Sequence, residues 1–269
     1  MDDTDSRTHS ASVDDGIWIV VPAYNEARTI RGLAESALAL GVRVLVVDDG
    51  SSDGTSQQLH DLPLTVLRHA GNQGKAAALR TAFRHALARG ARCVVTIDGD
   101  GQHDPRDATK LLAVWRGHPD RLVIGSRLHD RDRMPRGRYL GNRTACFWIS
   151  WAAGHAIADT QSGFRVYPRT VMEIALAECV ACTGFTFESE IIIAAAGRGH
   201  RTVPVTIGAC YPVGARPSHY RAGPDTIKII AMVARRLLAK GLYPRGLWRS
   251  LQRAPDGALP DDSALDRPR

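Results

Sequence analysis

The stretch TIDGDGQHD, residues 96–104, places Asp98, Asp100, Gln102 and Asp104 two apart, directly after the apolar run Val94-Val95-Thr96-Ile97. Oxygen donors at that density suit three things: a calcium loop, a magnesium or manganese site for a phosphorylated ligand, or a solvated turn. A calcium EF-hand loop needs Gly at its sixth position and Glu at its twelfth. Counted from Asp98, those positions hold His103 and Thr109. The stretch DDGSSDG at 48–54 supplies Asp49, Ser51, Asp53 and Gly54, but His60 stands at the twelfth position. Two carboxylates two residues apart can instead hold one Mg²⁺ or Mn²⁺ and leave positions open for phosphate oxygens. An ion placed so neutralises a diphosphate leaving group. Two other phosphate-binding patterns do not fit. GNQGKA at 71–76 has a Gly-Lys pair, but its first Gly is too near and no Ser or Thr follows. PAYNE stands where a dinucleotide-binding glycine fingerprint would follow the first strand.

These residues need a scaffold, and the hydrophobic pattern supplies one. IWIVVP (17–22) is a short apolar run, the mark of a strand covered on both faces. Ile30, Leu33, Ala34, Ala37 and Leu38 recur at helical spacing, with Gly41 as the stop. Strands are expected at 42–49, 64–69, 92–98 and 121–126, and helices at 75–89 and about 106–116. The alternation predicts an α/β fold, a mainly parallel central sheet with helices on both faces. Ligands of such sheets sit outside the carboxyl ends of the strands. The residues that follow four strands are Pro22 to Glu26, Asp48 to Ser51, Asp98 to Asp100 and Gly125 to Arg127, mostly polar or acidic. The second half is less regular: six Arg in 127–143, a Trp/Phe-rich helix at about 144–157, DTQSGFRVYP (159–168), FTFESEIIIAAAGRG (185–199) and a strand at 203–207.

The chain of 269 residues is 44% hydrophobic and carries +7 formal charge. Both ends are acidic: residues 1–16 hold five Asp and one Arg, and 254–269 hold four Asp and two Arg. Polar and poor in large apolar residues, they are expected to be disordered tails. The body between them is strongly basic and calls for an anionic partner. No nucleic-acid-binding signature occurs, no run of 18 apolar residues is present, and the acidic start does not read as a signal peptide. The five cysteines, 93, 146, 179, 182 and 210, are expected to be reduced, in a cytoplasmic protein. Cys179-x-x-Cys182 is not followed by a second pair, so zinc is not expected.

VVPAYNEARTI, VVDDGSSDGT, GNQGKAAALRTAF, TIDGDGQHDP, GSR and DTQSGFRVY occur in the order and spacing of family 2 glycosyltransferases. Over roughly 17–230 the chain resembles that family, and within it the dolichyl-phosphate mannose synthase and polyprenyl-phosphate sugar transferase branch. The resemblance implies a GT-A (nucleotide-diphospho-sugar transferase) domain at 17–224, inverting transfer of a hexose, and Mg²⁺ or Mn²⁺. It implies GDP-mannose or UDP-glucose as donor and polyprenyl phosphate as acceptor. Pro22, Tyr24 and Glu26 would line the base and ribose, Asp48 would accept hydrogen bonds from the base with Asp49 beside it, and Lys75 and Arg127 would also face the nucleotide sugar. Asp98, Asp100 and Gln102 would hold the ion.

Asp159 matches a position that faces the acceptor in this family, and Glu188 and Glu190 are the other nearby carboxylates. An alcohol acceptor needs a general base; a phosphate is already an anion, and the carboxylate then only positions it. Gly163 and Phe164 are expected to shape a tight turn, and Arg165 either to meet a phosphate or to lie on the surface. Arg216, Ser218, His219 and Arg221 lie in a Gly/Pro-rich loop suited to a lid over a diphosphate. Residues 225–253 form a basic amphipathic helical segment with seven Lys/Arg and one Asp, in which Ile227, Ile230, Val233, Ala234, Leu237 and Leu238 share a face. It is either a core-packed helix with a solvated basic face or an interfacial helix at the cytoplasmic face of an anionic membrane, with Tyr243 and Trp248 at headgroup level. Two other classes stay open. A nucleotidyltransferase would release pyrophosphate where a glycosyltransferase releases a nucleoside diphosphate. A non-catalytic membrane-surface protein would bind no nucleotide sugar.

Overall fold

The computed structural model describes residues 16–126, 136–180, 184, 186–208 and 222–252. Apart from Gly16, both acidic tails lie outside them. The first half follows the expected alternation: β1 (Ile17–Ala23), α1 (Ile30–Leu38), β2 (Arg43–Asp48), β3 (Thr65–Arg68), α2 (Lys75–Ala88), β4 (Cys93–Thr96), α3 (Ala108–Gly117) and β5 (Leu122–Ser126). Then come α4 (Arg136–Ala153), β6 (Arg165–Pro168), α5 (Arg169–Glu178), α6 (Thr186–Gly197), β7 (Thr202–Thr206), α7 (Ala222–Ala239) and α8 (Pro244–Leu251). The Trp/Phe-rich helix therefore starts well before 144, inside the arginine-rich stretch, and ends at Gly154, whose φ is +75°.

The seven strands lie in the order β3-β2-β1-β4-β6-β5-β7. Every pairing is parallel except the two made by β6. RVYP did not read as a strand: it is short, ends in proline and puts an arginine at the centre of a sheet. Alternation along β1 shows how the core divides. Trp18 and Val20 join one apolar layer with α2, α4, α5, α6 and α7, while Ile17, Ile19, Val21 and Ala23 join the other with α1 and α3. Helix α2 reaches the sheet through Ala76, Ala78, Leu79, Ala82, Phe83 and Ala86, and its alanines let the backbone approach closely. Burying one Leu- or Phe-sized side chain contributes about 1.5–3 kcal/mol. Helix α6 is apolar nearly all round and buried throughout Phe187–Ala195, as an interior helix must be. Ile229, Met232, Val233 and Leu237 of α7 belong to the same core, so the C-terminal segment is packed into the domain. Cys93 and Cys146 are buried free thiols, Cys179 is buried as well, and burial pushes the Cys93 thiol up to about 12. Among the described residues no helix is long and apolar enough to cross a membrane.

Beyond Gly154, His155 turns toward β7. Its Nε2 lies 3.0 Å from Thr202 Oγ1 and accepts the Thr202 N–H at 3.2 Å. Burial, aided by the positive charge of Arg201, lowers its pKa from 6.5 to about 4. Between those values the unfolded chain binds a proton that the folded chain refuses, so stability is lost as pH falls. The unfolding free energy should drop by about 3 kcal/mol across that window. His155→Gln, which keeps an acceptor but cannot titrate, should flatten that part of the slope in urea titrations. An unchanged slope would refute the role.

Candidate active site

Parallel strands end on one rim, so the segments after β1, β2, β4 and β5 meet there. The antiparallel β6 enters from that same rim, which brings residues 159–164 beside the DGDGQ loop; Thr96 pairs with Arg165 in register. Thr96 Oγ1 donates to Gly163 O at 2.7 Å and locks the two segments together.

The loops are stitched to one another by their own motif residues. Asn25, of PAYNE, sits at φ 56°, a region that Asn tolerates better than most residues. Its N–H donates to Ser51 Oγ at 2.9 Å and its Oδ1 accepts from the Ser52 N–H at 2.8 Å. The Glu26 N–H donates to Thr55 Oγ1 at 2.9 Å and the Ala27 N–H to Asp53 Oδ2 at 3.1 Å. Thr29 Oγ1 donates to Gly99 O at 2.6 Å. Gly99 lies so close that a Cβ there would meet Glu26 Cγ at 3.2 Å and Pro22 O at 3.3 Å. Pro22 and Glu26 thus border the DGDGQ loop, and Tyr24 between them is half-buried like both. Glu26 precedes α1 and its carbonyl receives the Thr29 and Ile30 N–H groups, so its carboxylate is not the first-turn acid of a helix.

Asp48 and Asp49 are both engaged by the loops around them. Asp48 is fully buried; its Oδ1 accepts the Ser51 N–H at 2.8 Å and its Oδ2 accepts the Ser56 hydroxyl. No oxygen is left exposed for a base. Asp49 Oδ1 meets the Gln73 N–H at 2.9 Å and His69 Nδ1 at 2.7 Å, and its Oδ2 accepts the Gly74 N–H at 2.7 Å. Both carboxylates build the rim, folding DDGSSDGT and holding GNQGK in place. Gly50 must be glycine, since a Cβ would lie 2.5 Å from the Gly71 carbonyl carbon. Arg68 and His69, at the end of β3, were not singled out from sequence. Arg68 donates to Ser51 O at 2.7 Å and has Nε 3.7 Å from Asp48 Oδ2. The strand-end rule applied to β3 would have found them.

Lys75, the first residue of α2, spans the centre. Its Nζ lies 2.6 Å from Asp98 Oδ1 and 2.9 Å from Glu188 Oε2. Burial pulls its pKa down, but the two carboxylates outweigh that and hold it above the ordinary lysine value. Glu188 Oε1 is buried and has no hydrogen-bond partner among the described residues. The Asp98 carboxylate rests on Gly163, where a Cβ would fall 2.3 Å from Asp98 Oδ2. Asp100 is half-buried and its Oδ1 accepts the Gln102 N–H at 3.0 Å. Asp104 caps the turn at Pro105–Asp107 by accepting the Arg106 N–H. Among the described residues no cluster of three or more His, Cys, Asp or Glu is gathered for an ion. The donors of Asp98, Asp100 and Gln102 are two carboxylates and an amide, all oxygen, a set that fits a hard Mg²⁺ or Mn²⁺ and not zinc.

Arg165 does not face a phosphate. It is fully buried, and donates from Nε to Ser162 O at 2.6 Å and from its two terminal nitrogens to Thr160 O at 2.8 Å and Glu188 O at 3.0 Å. It clamps the 159–165 loop to α6 and acts through that loop. Asp159 is buried as well, its Oδ1 accepting the Gln161 and Ser162 N–H groups at 3.0 and 3.2 Å. Glu190 pairs with Arg236 of α7, whose Nε lies 2.6 Å from Oε1. Arg127 and the lid residues Arg216, Ser218, His219 and Arg221 lie outside the described residues, as do Cys182 and Cys210.

Residues 18–173 match the model of Glycosyl transferase family 2. The polyprenol monophosphomannose synthase of Mycolicibacterium smegmatis is 31% identical over 201 residues, 70% of this chain and 75% of that protein. The undecaprenyl-phosphate mannosyltransferase of Micrococcus luteus is 30% identical over 207 residues, 71% of this chain and 82% of that protein. Among solved structures, glucosyl-3-phosphoglycerate synthase from Mycobacterium tuberculosis, in complex with Mn²⁺, UDP and glucosyl-3-phosphoglycerate, superposes with a TM-score of 0.62 at 20% identity. The match covers 82% of this chain and 79% of that one. That likeness establishes the GT-A fold.

Proposed function

Because the chain belongs to glycosyl transferase family 2, we propose that it moves a hexose from GDP-mannose or UDP-glucose to a polyprenyl phosphate, with inversion and with a divalent ion. The observation that carries this reading is the Lys75–Asp98–Glu188 cluster, which ties the oxygen-rich DGDGQ loop to a buried carboxylate with one unpartnered oxygen. The named relatives support the lipid-phosphate acceptor.

Pro22, Tyr24 and Glu26 would border the nucleoside. Asp48 and Asp49 keep the neighbouring loops in shape. Asp98, Asp100 and Gln102 would hold Mg²⁺ or Mn²⁺, which would supply positive charge against the diphosphate. Lys75 keeps Asp98 oriented and lowers the repulsion between its carboxylate and that of Glu188. An oxygen of the acceptor phosphate attacks the anomeric carbon from the face opposite the diphosphate. The bond to the diphosphate breaks and its electron pair leaves with the nucleoside diphosphate. The acceptor is already an anion, so no proton has to be removed. The unpartnered Glu188 Oε1 is suited to accept a hydrogen bond from a sugar hydroxyl, and Asp159 shapes the acceptor side of the cleft. The enzyme works at a membrane surface from the cytoplasmic side.

Incubation with GDP-mannose or UDP-glucose plus Mn²⁺, with and without polyprenyl phosphate in detergent, tests the proposal. Release of nucleoside diphosphate that depends on the lipid phosphate is the expected result, and it names the donor. Metal-dependent release indifferent to the lipid would overturn the acceptor and leave Asp159 or Glu188 as base for a hydroxyl. Release of pyrophosphate would mean nucleotidyl transfer instead.

A further inference from the structure

We propose that the outward faces of α4, α7 and α8 form one docking surface for an anionic bilayer. The surface deepens the lipid-acceptor reading and draws its purpose, though not its geometry, from it.

Helix α7 carries two apolar stripes. The inner one is buried in the core. The outer one runs through Ile227, Ala231, Ala234 and Leu238, at spacings of four, three and four that keep them on one side, and both Ile227 and Leu238 are 68% exposed. A helix packed on a soluble domain normally presents a polar outer face. The face expected from sequence mixed these stripes, joining Val233 and Leu237, which are buried, with Ile227 and Leu238, which are not. Helix α8 repeats the arrangement. Gly246 is its buried point, seated against Tyr243 and the Trp151 carbonyl. Trp248 and Leu251, three apart, are 64% and 63% exposed. Helix α4 adds exposed Leu140 and Phe147. Phe147 neighbours Trp151, with ring centroids 6.2 Å apart, and Trp151 Nε1 donates to Leu242 O at 3.1 Å and Tyr243 O at 3.2 Å. The α4 row therefore runs into the corner where α7 ends and α8 begins, at exposed Leu242.

Charge selects the occupant. These three helices contain no Glu and a single Asp, Asp225, while Arg143, Lys228, Arg235, Lys240, Arg245 and Arg249 are exposed along them. Apolar residues flanked by six exposed cations and one Asp match hydrocarbon beneath anionic headgroups. A second copy would set like charges against each other, which disfavours a dimer. The Glu190–Arg236 pair fixes α7 to α6 two residues from Glu188. The face is thus tied, through one helix, to the cluster proposed for transfer.

The test is cosedimentation of the full chain with vesicles of phosphatidylcholine alone and of phosphatidylcholine with phosphatidylglycerol. Binding should require phosphatidylglycerol and weaken with salt. Trp248→Ala with Leu251→Ala should weaken it by about a hundredfold, with the circular dichroism unchanged. Arg245→Glu with Arg249→Glu should also weaken it. Turnover of a short, water-soluble polyprenyl phosphate should be the same in the first pair as in the parent. No vesicle binding, or binding by both double variants as tight as that of the parent, would overturn the surface. So would a self-association that the Trp248/Leu251 variant abolishes. Vesicle binding without any lipid-phosphate turnover would still support the surface while rejecting the proposed reaction.

Discussion

Asp100→Ala is expected to lower sugar transfer about a thousandfold while stability falls by only about 1 kcal/mol. The two halves of that expectation have separate causes. Asp100 is half-buried on a loop, and the Gln102 N–H to its Oδ1 is a turn bond whose loss costs about 1 kcal/mol. The core beneath, Val94, Val95 and Ile97, does not touch it through that bond and keeps its packing. The transfer step, in contrast, needs the negative charge that holds a divalent ion against the diphosphate. Such an ion contributes several kcal/mol to the transition state, and each 1.36 kcal/mol is a factor of ten in rate. Asp100→Asn separates charge from shape. It keeps an oxygen for the turn and removes the charge, so its rate should fall nearly as far as that of the alanine variant. Wild-type turnover in either variant would sink the assignment of the DGDGQ loop.

Arg165→Ala is expected to cost roughly 3–5 kcal/mol of stability and to remove activity with it. The side chain is fully buried in β6, and its loss strips donors from Ser162 O, Thr160 O and Glu188 O while leaving a cavity. Those carbonyls belong to the loop that carries Asp159 and Gly163, on which the Asp98 carboxylate rests, and to the helix that carries Glu188. The midpoint of urea unfolding should fall sharply with little change in slope, since the surface exposed on unfolding is nearly the same. Arg165→Lys should recover only part, because one ammonium cannot reach three carbonyls set around a planar fork. A variant with wild-type stability but no activity would instead return Arg165 to direct contact with substrate.

The comparison of Asp100 with Arg165 shows which site residues can be read from a sequence. Asp98, Asp100 and Gln102 are contiguous, follow an apolar run and share one loop, so spacing alone brings them together. Lys75 and Glu188 are far apart in the chain, and their approach to Asp98 follows from α2 and α6 packing in one apolar layer. Asp48 and Asp49 look like ligand carboxylates by type and position. Their engagement by Ser51, Ser56, His69, Gln73 and Gly74 depends on backbone turns that composition does not specify.

The order of strands and helices in the first half, the rim where the motifs gather, the oxygen character of the DGDGQ loop and the basic charge of the body were determined by the sequence itself. Hydrophobic period and turn residues are local signals, and local signals specify local structure. Three things were decided only by the tertiary structure. The short β6 enters the sheet against its neighbours and so carries the 159–165 loop to the rim. Arg165 turns inward as a clamp. One of the two apolar stripes of α7 finds the core and the other, continued by Trp248 and Leu251, does not. The physical reason is common to all three. Periodicity states that a residue is apolar or that an arginine needs acceptors, but which surface or carbonyl meets it is set by elements distant in the chain.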